Sequence, residues 1–165
     1  MWEGDRVDSR KEGNEEMTAE DVFLVCNNAV IPAWLLLAVA PGWQWTQRIV
    51  HAIWIPALLG IVYIWAMLTG SAEGAEGAGF GSLGGVMLLF TNPNAMLAGW
   101  IHYLAFDLFV GAWEARDARR MGIPAWMVVP CLFFTLMAGP AGLLLYGLLR
   151  IVRLGEVSLV ERPTA

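Results

Sequence analysis

The most reactive side chains of this sequence are concentrated in one apolar stretch near the middle of the chain. Asp107 lies between two apolar residues, with Tyr103 before it and Glu114 and Asp117 after it. At about 100° per residue of an α-helix, these four side chains fall on one face. A charged group inside a bilayer is costly, so we expect this polar face to turn toward neighbouring helices and away from lipid.

Asp107 and His102 provide an acid and a base for proton transfer. Removal from water favours the neutral form of a carboxyl group, so Asp107 is predicted to carry a proton that it can donate. The imidazole of His102, close to it along the same helix, exchanges protons near neutral pH and can act as the base. The alternative is a purely structural Asp107 that hydrogen-bonds a neighbouring helix through Asn27, Asn28 or His51.

Other polar residues favour simpler interpretations. Glu114, beside Arg116, is interpreted as a solvated ion pair near the membrane interface, and His51 as a hydrogen-bonded packing residue. Two histidines in the chain disfavour a histidine-based metal centre, because catalytic metal sites usually take three protein ligands. No metal or cofactor is therefore predicted, although carboxylates could still complete a metal site. No GxGxxG or P-loop motif accompanies a predicted strand, and no basic patch occurs, so neither nucleotide nor nucleic acid is expected as a partner.

The aromatic residues permit two interpretations, anchors at the lipid interface or walls of a site for a long apolar ligand. Six of the nine tryptophans lie near the ends of predicted spans, as interface anchors do: Trp34, Trp43, Trp45, Trp65, Trp100 and Trp126. Trp54 and Trp113 lie deeper and are better candidates for ligand contact. The residues predicted to bind a ligand are Trp100, Phe109, Trp113, Trp54 and Asn28.

The composition is that of a membrane protein, so membrane helices have to position these residues. Hydrophobic residues make up 58% of the 165 residues and charged residues 15%, against roughly 25% charged in soluble domains. Four windows lack Asp, Glu, Lys and Arg: residues 22–47, 49–72, 77–106 and 121–149. Each exceeds the roughly 20 residues that cross a bilayer as a helix, and only helices satisfy their backbone within one segment. We therefore predict an all-α integral membrane bundle of four transmembrane helices.

The predicted domain of four helices covers residues 19–153, with spans at about 19–40, 46–69, 93–118 and 125–151. An even number of spans puts both termini on one side of the membrane. Residues 1–18 are predicted to be a disordered acidic tail, unlike a signal or transit peptide, and residues 154–165 a short carboxy-terminal tail. The first span is then an uncleaved anchor.

Two short motifs in the third predicted span follow a recognisable pattern. Trp100-Ile101-His102 is followed by Asp107-Leu108-Phe109. Weaker matches occur, in the same order as in the pattern, at residues 29–32, 55–56 and 139–142. Together these residues resemble the WIH-xxxx-DLF pattern of the plant membrane proteins required for neoxanthin formation in abscisic-acid biosynthesis, and of their bacterial relatives.

The resemblance implies a four-span protein that acts on carotenoids, with conversion of violaxanthin to neoxanthin as the plant family's reaction. In that isomerisation an epoxide opens while a neighbouring vinylic proton leaves to give an allene. For that reaction our hypothesis assigns Asp107 as the acid at the epoxide oxygen, His102 as the base at carbon and Tyr103 as the residue that orients the ligand. The lack of a transit sequence favours the bacterial inner membrane, which leaves the ligand open as a carotenoid or another long isoprenoid.

Three functions remain open from the sequence. The first is an isomerase that acts on a carotenoid or a related isoprenoid. The second is a carotenoid-binding or assembly subunit, without catalysis, that works with other membrane subunits. The third is a proton pathway built on Asp107 and Glu114. All three have the lipid bilayer as a partner.

Overall fold

The part of the chain that the structure describes is helical, without a strand. The structure is a computed structural model that describes residues 17–72 and 74–159. Its seven helices are α1 (Ala19–Val39), α2 (Gln44–Ile49), α3 (Trp54–Ala72), α4 (Leu83–Leu89), α5 (Pro93–Arg120), α6 (Ala125–Ala138) and α7 (Pro140–Leu154). The predicted all-α membrane bundle is confirmed. Most of the predicted acidic tail, residues 1–16, and the end of the carboxy-terminal tail, residues 160–165, lie outside the described residues.

Local sequence signals set the first turns of two long helices. Thr18 caps α1: its hydroxyl accepts the N–H of Asp21 at 3.2 Å, and the Asp21 carboxylate accepts the N–H of Thr18 at 2.9 Å. Asn92 caps α5 by accepting the N–H groups of the second and third helical residues. Pro93 occupies the first helical position, where its missing N–H costs no hydrogen bond.

Three apolar helical stretches are long enough to cross a bilayer. They are Ala19–Val39, Gln44–Ser71 and Pro93–Arg120, with 21, 28 and 28 residues. The second stretch is divided, because α2 ends at Ile49 and α3 begins at Trp54. The predicted fourth span is not one continuous helix, since residues 125–151 fall into α6 with 14 residues and α7 with 15. Each is shorter than the roughly 20 residues that a span needs.

Helices α6 and α7 form an antiparallel hairpin that turns at Gly139. Gly139 has φ 29° and ψ −87°, a backbone that favours glycine, and Pro140 begins α7 directly after it. The start of α6 lies beside the end of α7, since Met127 and Val152 line one cavity. Nearer the turn, Gly142 packs closely against Thr135. The chain thus returns toward the end of the bundle at which α6 began.

The hairpin places the two ends of the described chain at opposite ends of the bundle. Tyr146 and Arg150 on α7 contact Asp117, which is close to the end of α5. The first turns of α1 and α5 meet at the other end, where both line one groove. The prediction that both termini lie on one side does not hold for the ends of the described residues, Met17 and Leu159. Its error was to treat the break at Gly139 as a kink, although an apolar sequence fits a kinked helix and a hairpin equally well.

Helix α5 is the central helix and packs against α1, α3, α6 and α7. Small residues on its buried face permit close approach of its neighbours: Ala98, Gly111, Ala112, Ala115 and Ala118. A Cβ on Gly111 would lie 2.6 Å from ring atoms of Trp34. Trp34, predicted as an interface anchor, is instead buried in the core because Gly111 leaves room for its ring.

The hairpin predicts the membrane topology. In a background with Cys26 and Cys131 replaced by alanine, single cysteines at Val157 and Trp43 should react with an impermeant maleimide from one side of the membrane. A cysteine at Met17 should react from the other side, because α1 separates it from Trp43. All three positions are exposed. Labelling of Met17→Cys and Val157→Cys from the same side would contradict the hairpin and favour a fourth complete span.

Candidate functional site

The polar face of α5 is buried among the other helices. Asp107, Glu114 and Asp117 expose only 9%, 0% and 2% of their surface, and Tyr103 is half-buried. The helix therefore turns this face toward the α6–α7 hairpin and away from lipid, as the helical spacing predicted. The three carboxyl groups differ in their hydrogen-bond and ionic partners, and that difference locates the candidate site.

Asp107 lies against the turn of the hairpin. A Cβ at Gly139 would come within 2.5 Å of its Oδ1 atom, so the carboxyl group contacts the backbone of the turn directly. Its Oδ2 atom is buried and has no hydrogen-bond partner among the described residues. A buried acceptor normally has a partner, so an unmatched oxygen at this position is a place for a ligand group or a proton.

Tyr103 joins the hairpin turn to the same site. Its hydroxyl donates to the backbone carbonyl of Leu136 at 2.6 Å, and its side chain lies close enough to Asp107 for the two to interact electrostatically. Helix α7 also begins here, at Pro140, and the N–H groups of its first turn give that end a partial positive charge. The site therefore combines an acidic side chain, a hydroxyl and a helix end that attracts negative charge.

Glu114 is held by α6. The Thr135 hydroxyl lies 3.0 Å and 3.1 Å from its two carboxyl oxygens and 3.0 Å from the carbonyl of Cys131, and donates its one proton within this group. The interpretation of Glu114 as a solvated ion pair with Arg116 is wrong. Two helical residues separate side chains by about 200°, so Arg116 points elsewhere and contacts Nδ1 of His51 at 3.2 Å.

Asp117 is the centre of a buried ionic cluster. Tyr146 donates its hydroxyl proton to Oδ2 at 2.7 Å, and Nε of Arg150 lies 3.1 Å from the same atom. Arg120, one turn along α5, donates to Oδ1. Arg150 is only 2% exposed. The cluster ties the returning arm of the hairpin to α5, and so holds the turn at Asp107.

Sequence reasoning missed the partners that the hairpin supplies. The sequence pattern alone did not identify Arg150, Tyr146 or Thr135 as partners of these carboxyl groups. One signal was available: Gly142, Tyr146 and Arg150 are spaced four residues apart in an apolar stretch, and these are the three buried residues of α7. An arginine in line with a tyrosine and a glycine indicates a buried polar stripe.

His102 faces another part of the molecule. Its ring stacks on Phe106 at 4.5 Å between centroids and lies 5.9 Å from the ring of Tyr63 on α3. Five helical residues rotate it by about 140° from Asp107, and its side chain is exposed. The structure therefore places the predicted base on the α3 side of α5, outside the cleft between Asp107 and the hairpin turn.

Of the residues predicted to bind a ligand, Trp100 lies next to the candidate site. Its ring is 5.3 Å from that of Tyr103, and its Nε1 atom donates to Asn27 at 3.3 Å. Trp113 packs edge-on against Tyr146 at 5.5 Å, near the ionic cluster. The remaining three, Asn28, Trp54 and Phe109, are exposed on other surfaces.

The cysteine and histidine side chains, which could bind a metal ion, do not form a three-residue cluster among the described residues. Cys26 and Cys131 are buried free thiols. Over residues 17–72 and 74–159, no group of three His, Cys, Asp or Glu side chains is placed to hold a metal ion.

Comparison with known proteins identifies one family. The ABA DEFICIENT 4-like family model matches residues 21–146, which include the polar face of α5 and the hairpin turn. Protein ABA DEFICIENT 4, chloroplastic, from Arabidopsis thaliana is 28% identical over 123 residues, covering 70% of this chain. The match covers 56% of that relative, so this chain spans about half the length of the curated protein. No solved structure matches the chain at a significant level.

Substitution of Gly139 by alanine should destabilise the protein. The new methyl group would collide with Asp107 at a backbone conformation that alanine rarely adopts, at a cost of about 2 kcal/mol. Gly147→Ala is the control, because that Cβ meets no atom within 4 Å and alanine favours helix. Thermal unfolding of the two variants in detergent measures the difference. Equal stability would show that the turn does not press on Asp107.

Removal of the buried arginine should also be costly. Arg150→Met leaves Asp117 without one of its two cationic partners, and we expect a loss of about 3 kcal/mol in the free energy of unfolding. Arg153→Met, on the exposed side of the same helix, should change it by less than about 0.5 kcal/mol. Denaturant titration of both variants makes the comparison. An unchanged stability of Arg150→Met would argue against the ionic cluster as the anchor of the hairpin.

Proposed function

Because the chain belongs to the ABA DEFICIENT 4-like family, we propose that it is a membrane enzyme of carotenoid metabolism, an isomerase that opens the epoxide of a xanthophyll. One observation carries the proposal. Asp107, within the Asp107-Leu108-Phe109 motif, is buried on the bundle side of α5 with an unmatched carboxyl oxygen. The neighbouring carboxyl groups have partners from α6 and α7, whereas Oδ2 of Asp107 has none among the described residues, so this oxygen is the one that we propose meets a ligand.

The proposed step balances without a cofactor. The Asp107 carboxyl donates its proton to the epoxide oxygen while a C–O bond of the ring breaks. A base removes the vinylic proton from the polyene carbon next to the epoxide. The electron pair of that C–H bond becomes the second double bond of an allene. The product is an isomer of the substrate, and a return of the proton from the base restores Asp107. The helix end at Pro140 attracts the negative charge that develops on the oxygen.

Tyr103 and His102 have the other two roles in this proposal. The Tyr103 side chain, fixed by its hydrogen bond to Leu136, orients the ring of the ligand beside Asp107. His102 serves as the base. The vinylic C–H is adjacent to the epoxide carbon, so His102, which faces α3, acts as the base only if its side chain turns toward Asp107, and the acid and base roles therefore need separate tests.

The surroundings suit a long apolar ligand that enters from lipid. Large apolar side chains are exposed along the helices of the bundle, as expected of surfaces that meet acyl chains. A polyene dissolved in the bilayer can approach along them, with Trp100 and Trp113, which lie closer to the candidate site, as proposed contacts. We also propose the bacterial inner membrane as the location, and membrane fractionation tests it.

Pigment analysis in carotenoid-producing bacteria that are supplied with violaxanthin tests the enzyme. Expression of the chain should yield a pigment of unchanged mass with an altered absorption spectrum. Asp107→Asn should lower its yield at least about 100-fold, since general acids contribute factors of that order. His102→Ala should lower it similarly if that residue is the base. Glu76→Gln, in an exposed loop, is the control, and immunoblots check that protein levels match.

The outcomes separate the functions. Full activity of Asp107→Asn would end the acid assignment, and full activity of His102→Ala would end only the base assignment. A carotenoid that co-purifies unchanged with the wild-type protein would favour a binding or assembly subunit. Acid-driven proton flux into liposomes, without any effect on pigments, would favour a proton pathway.

A further inference from the structure

A groove opens between the first turns of α1 and α5, at the end of the bundle remote from the ionic cluster. Its volume is about 610 Å³. Its apolar lining comes from both helices: Ala19, Phe23, Pro93, Met96, Leu97 and Trp100. Three polar side chains complete it, Thr18, Glu20 and Asn94, all within the first two turns or the caps of these helices. The groove is therefore amphiphilic, with its polar groups at the helix ends.

A row of aromatic rings connects this groove with the candidate site. The ring of Phe23 lies 5.5 Å from that of Trp100, and Trp100 lies 5.3 Å from Tyr103. Tyr103 in turn lies beside Asp107 and holds the hairpin turn. A flat conjugated chain that follows this row would keep contact with a ring at each step.

The spacing along α5 suits a rigid ligand with two ends. Residues 93 and 107 are separated by about 20 Å along the helix at 1.5 Å per residue. A ligand whose reacting ring lies at Asp107 would therefore carry its conjugated chain past Trp100 and bring its far end to the groove. That end meets polar groups at the edge of the apolar region, where a hydroxyl group can be satisfied.

Resting on the proposed function, we infer that the groove binds the far end of the isoprenoid, an apolar ring that carries a hydroxyl group. The apolar walls enclose the ring, and Asn94 and Glu20 supply a donor and an acceptor for the hydroxyl. The Thr18 hydroxyl is already committed to the cap of α1 through Asp21. The Glu20 carboxylate at the groove would repel a phosphate group, which disfavours an anionic phospholipid as the occupant.

Binding of two pigments that differ only in their hydroxyl groups tests the inference. The full chain in detergent is mixed with zeaxanthin, which has a hydroxyl on each ring, or with β-carotene, which has none. Bound pigment is measured from its absorbance after gel filtration. We expect at least ten-fold tighter binding of zeaxanthin, and a loss of this preference in Asn94→Leu. Equal binding of the two pigments by the wild-type protein would overturn the assignment.

A matched pair of substitutions locates the binding. Met96→Trp fills the groove from α5, whereas Met137→Trp places the same side chain on α6, and the two methionines are exposed by 52% and 57%. We expect at least ten-fold weaker zeaxanthin binding for the first and no change for the second. Ala19→Trp fills the groove from α1 and should act as Met96→Trp does. If Met96→Trp and Ala19→Trp both bind zeaxanthin as the wild type does, the groove is not the binding site. Unfolding temperatures check that both variants are folded.

Pigment conversion in cells distinguishes a failure of the groove assignment from a failure of the proposed isomerase function. If Met96→Trp converts and binds pigment as the wild type does, the ligand assignment of the groove is wrong and the isomerase proposal is retained. If the wild type converts no pigment, yet Met96→Trp weakens zeaxanthin binding, the groove stands and the isomerase is wrong. Failure of the wild type to bind either pigment overturns the groove.

Discussion

A carboxyl group inside a bilayer has to be matched by polar groups from neighbouring helices, because hydrocarbon offers it none. Three such groups on one face of α5 impose this constraint on the whole bundle. The α6–α7 hairpin meets it: Thr135 donates to Glu114, and Tyr146 and Arg150 bind Asp117. The hairpin is thus held by polar contacts that are strong because their surroundings are apolar.

The same constraint explains why Asp107 differs from its neighbours. The hairpin turns at the level of this residue, so the side chains that satisfy Glu114 and Asp117 are replaced there by backbone and by the glycine of the turn. One oxygen of Asp107 is left without a partner. In the proposed function this oxygen meets the ligand, and the two satisfied carboxyl groups further along α5 keep the turn in place. Stability and the proposed chemistry are therefore divided along one helix face.

Within the bundle, close packing and the position of the site depend on small residues. Gly111 admits the ring of Trp34 between α1 and α5, and Gly142 admits Thr135 between the arms of the hairpin. Gly139 brings backbone against a carboxyl group. Any side chain at these positions would separate helices whose polar groups have to meet. The arrangement at Asp107 is therefore a property of packing as much as of the motif that contains it.

The sequence by itself determined the long helices α1 and α5 and the polar face of α5. Gaps in charge and helical periodicity around Asp107 are local features, and the spans predicted from them at about 19–40 and 93–118 match α1 and α5 closely. The tertiary structure decided the reversal at Gly139, the burial of Arg150 and the outward position of His102. Apolar periodicity is the same whether a segment crosses the membrane or folds back. The choice depends on which distant side chains satisfy the carboxyl groups of α5, and no local pattern contains that information.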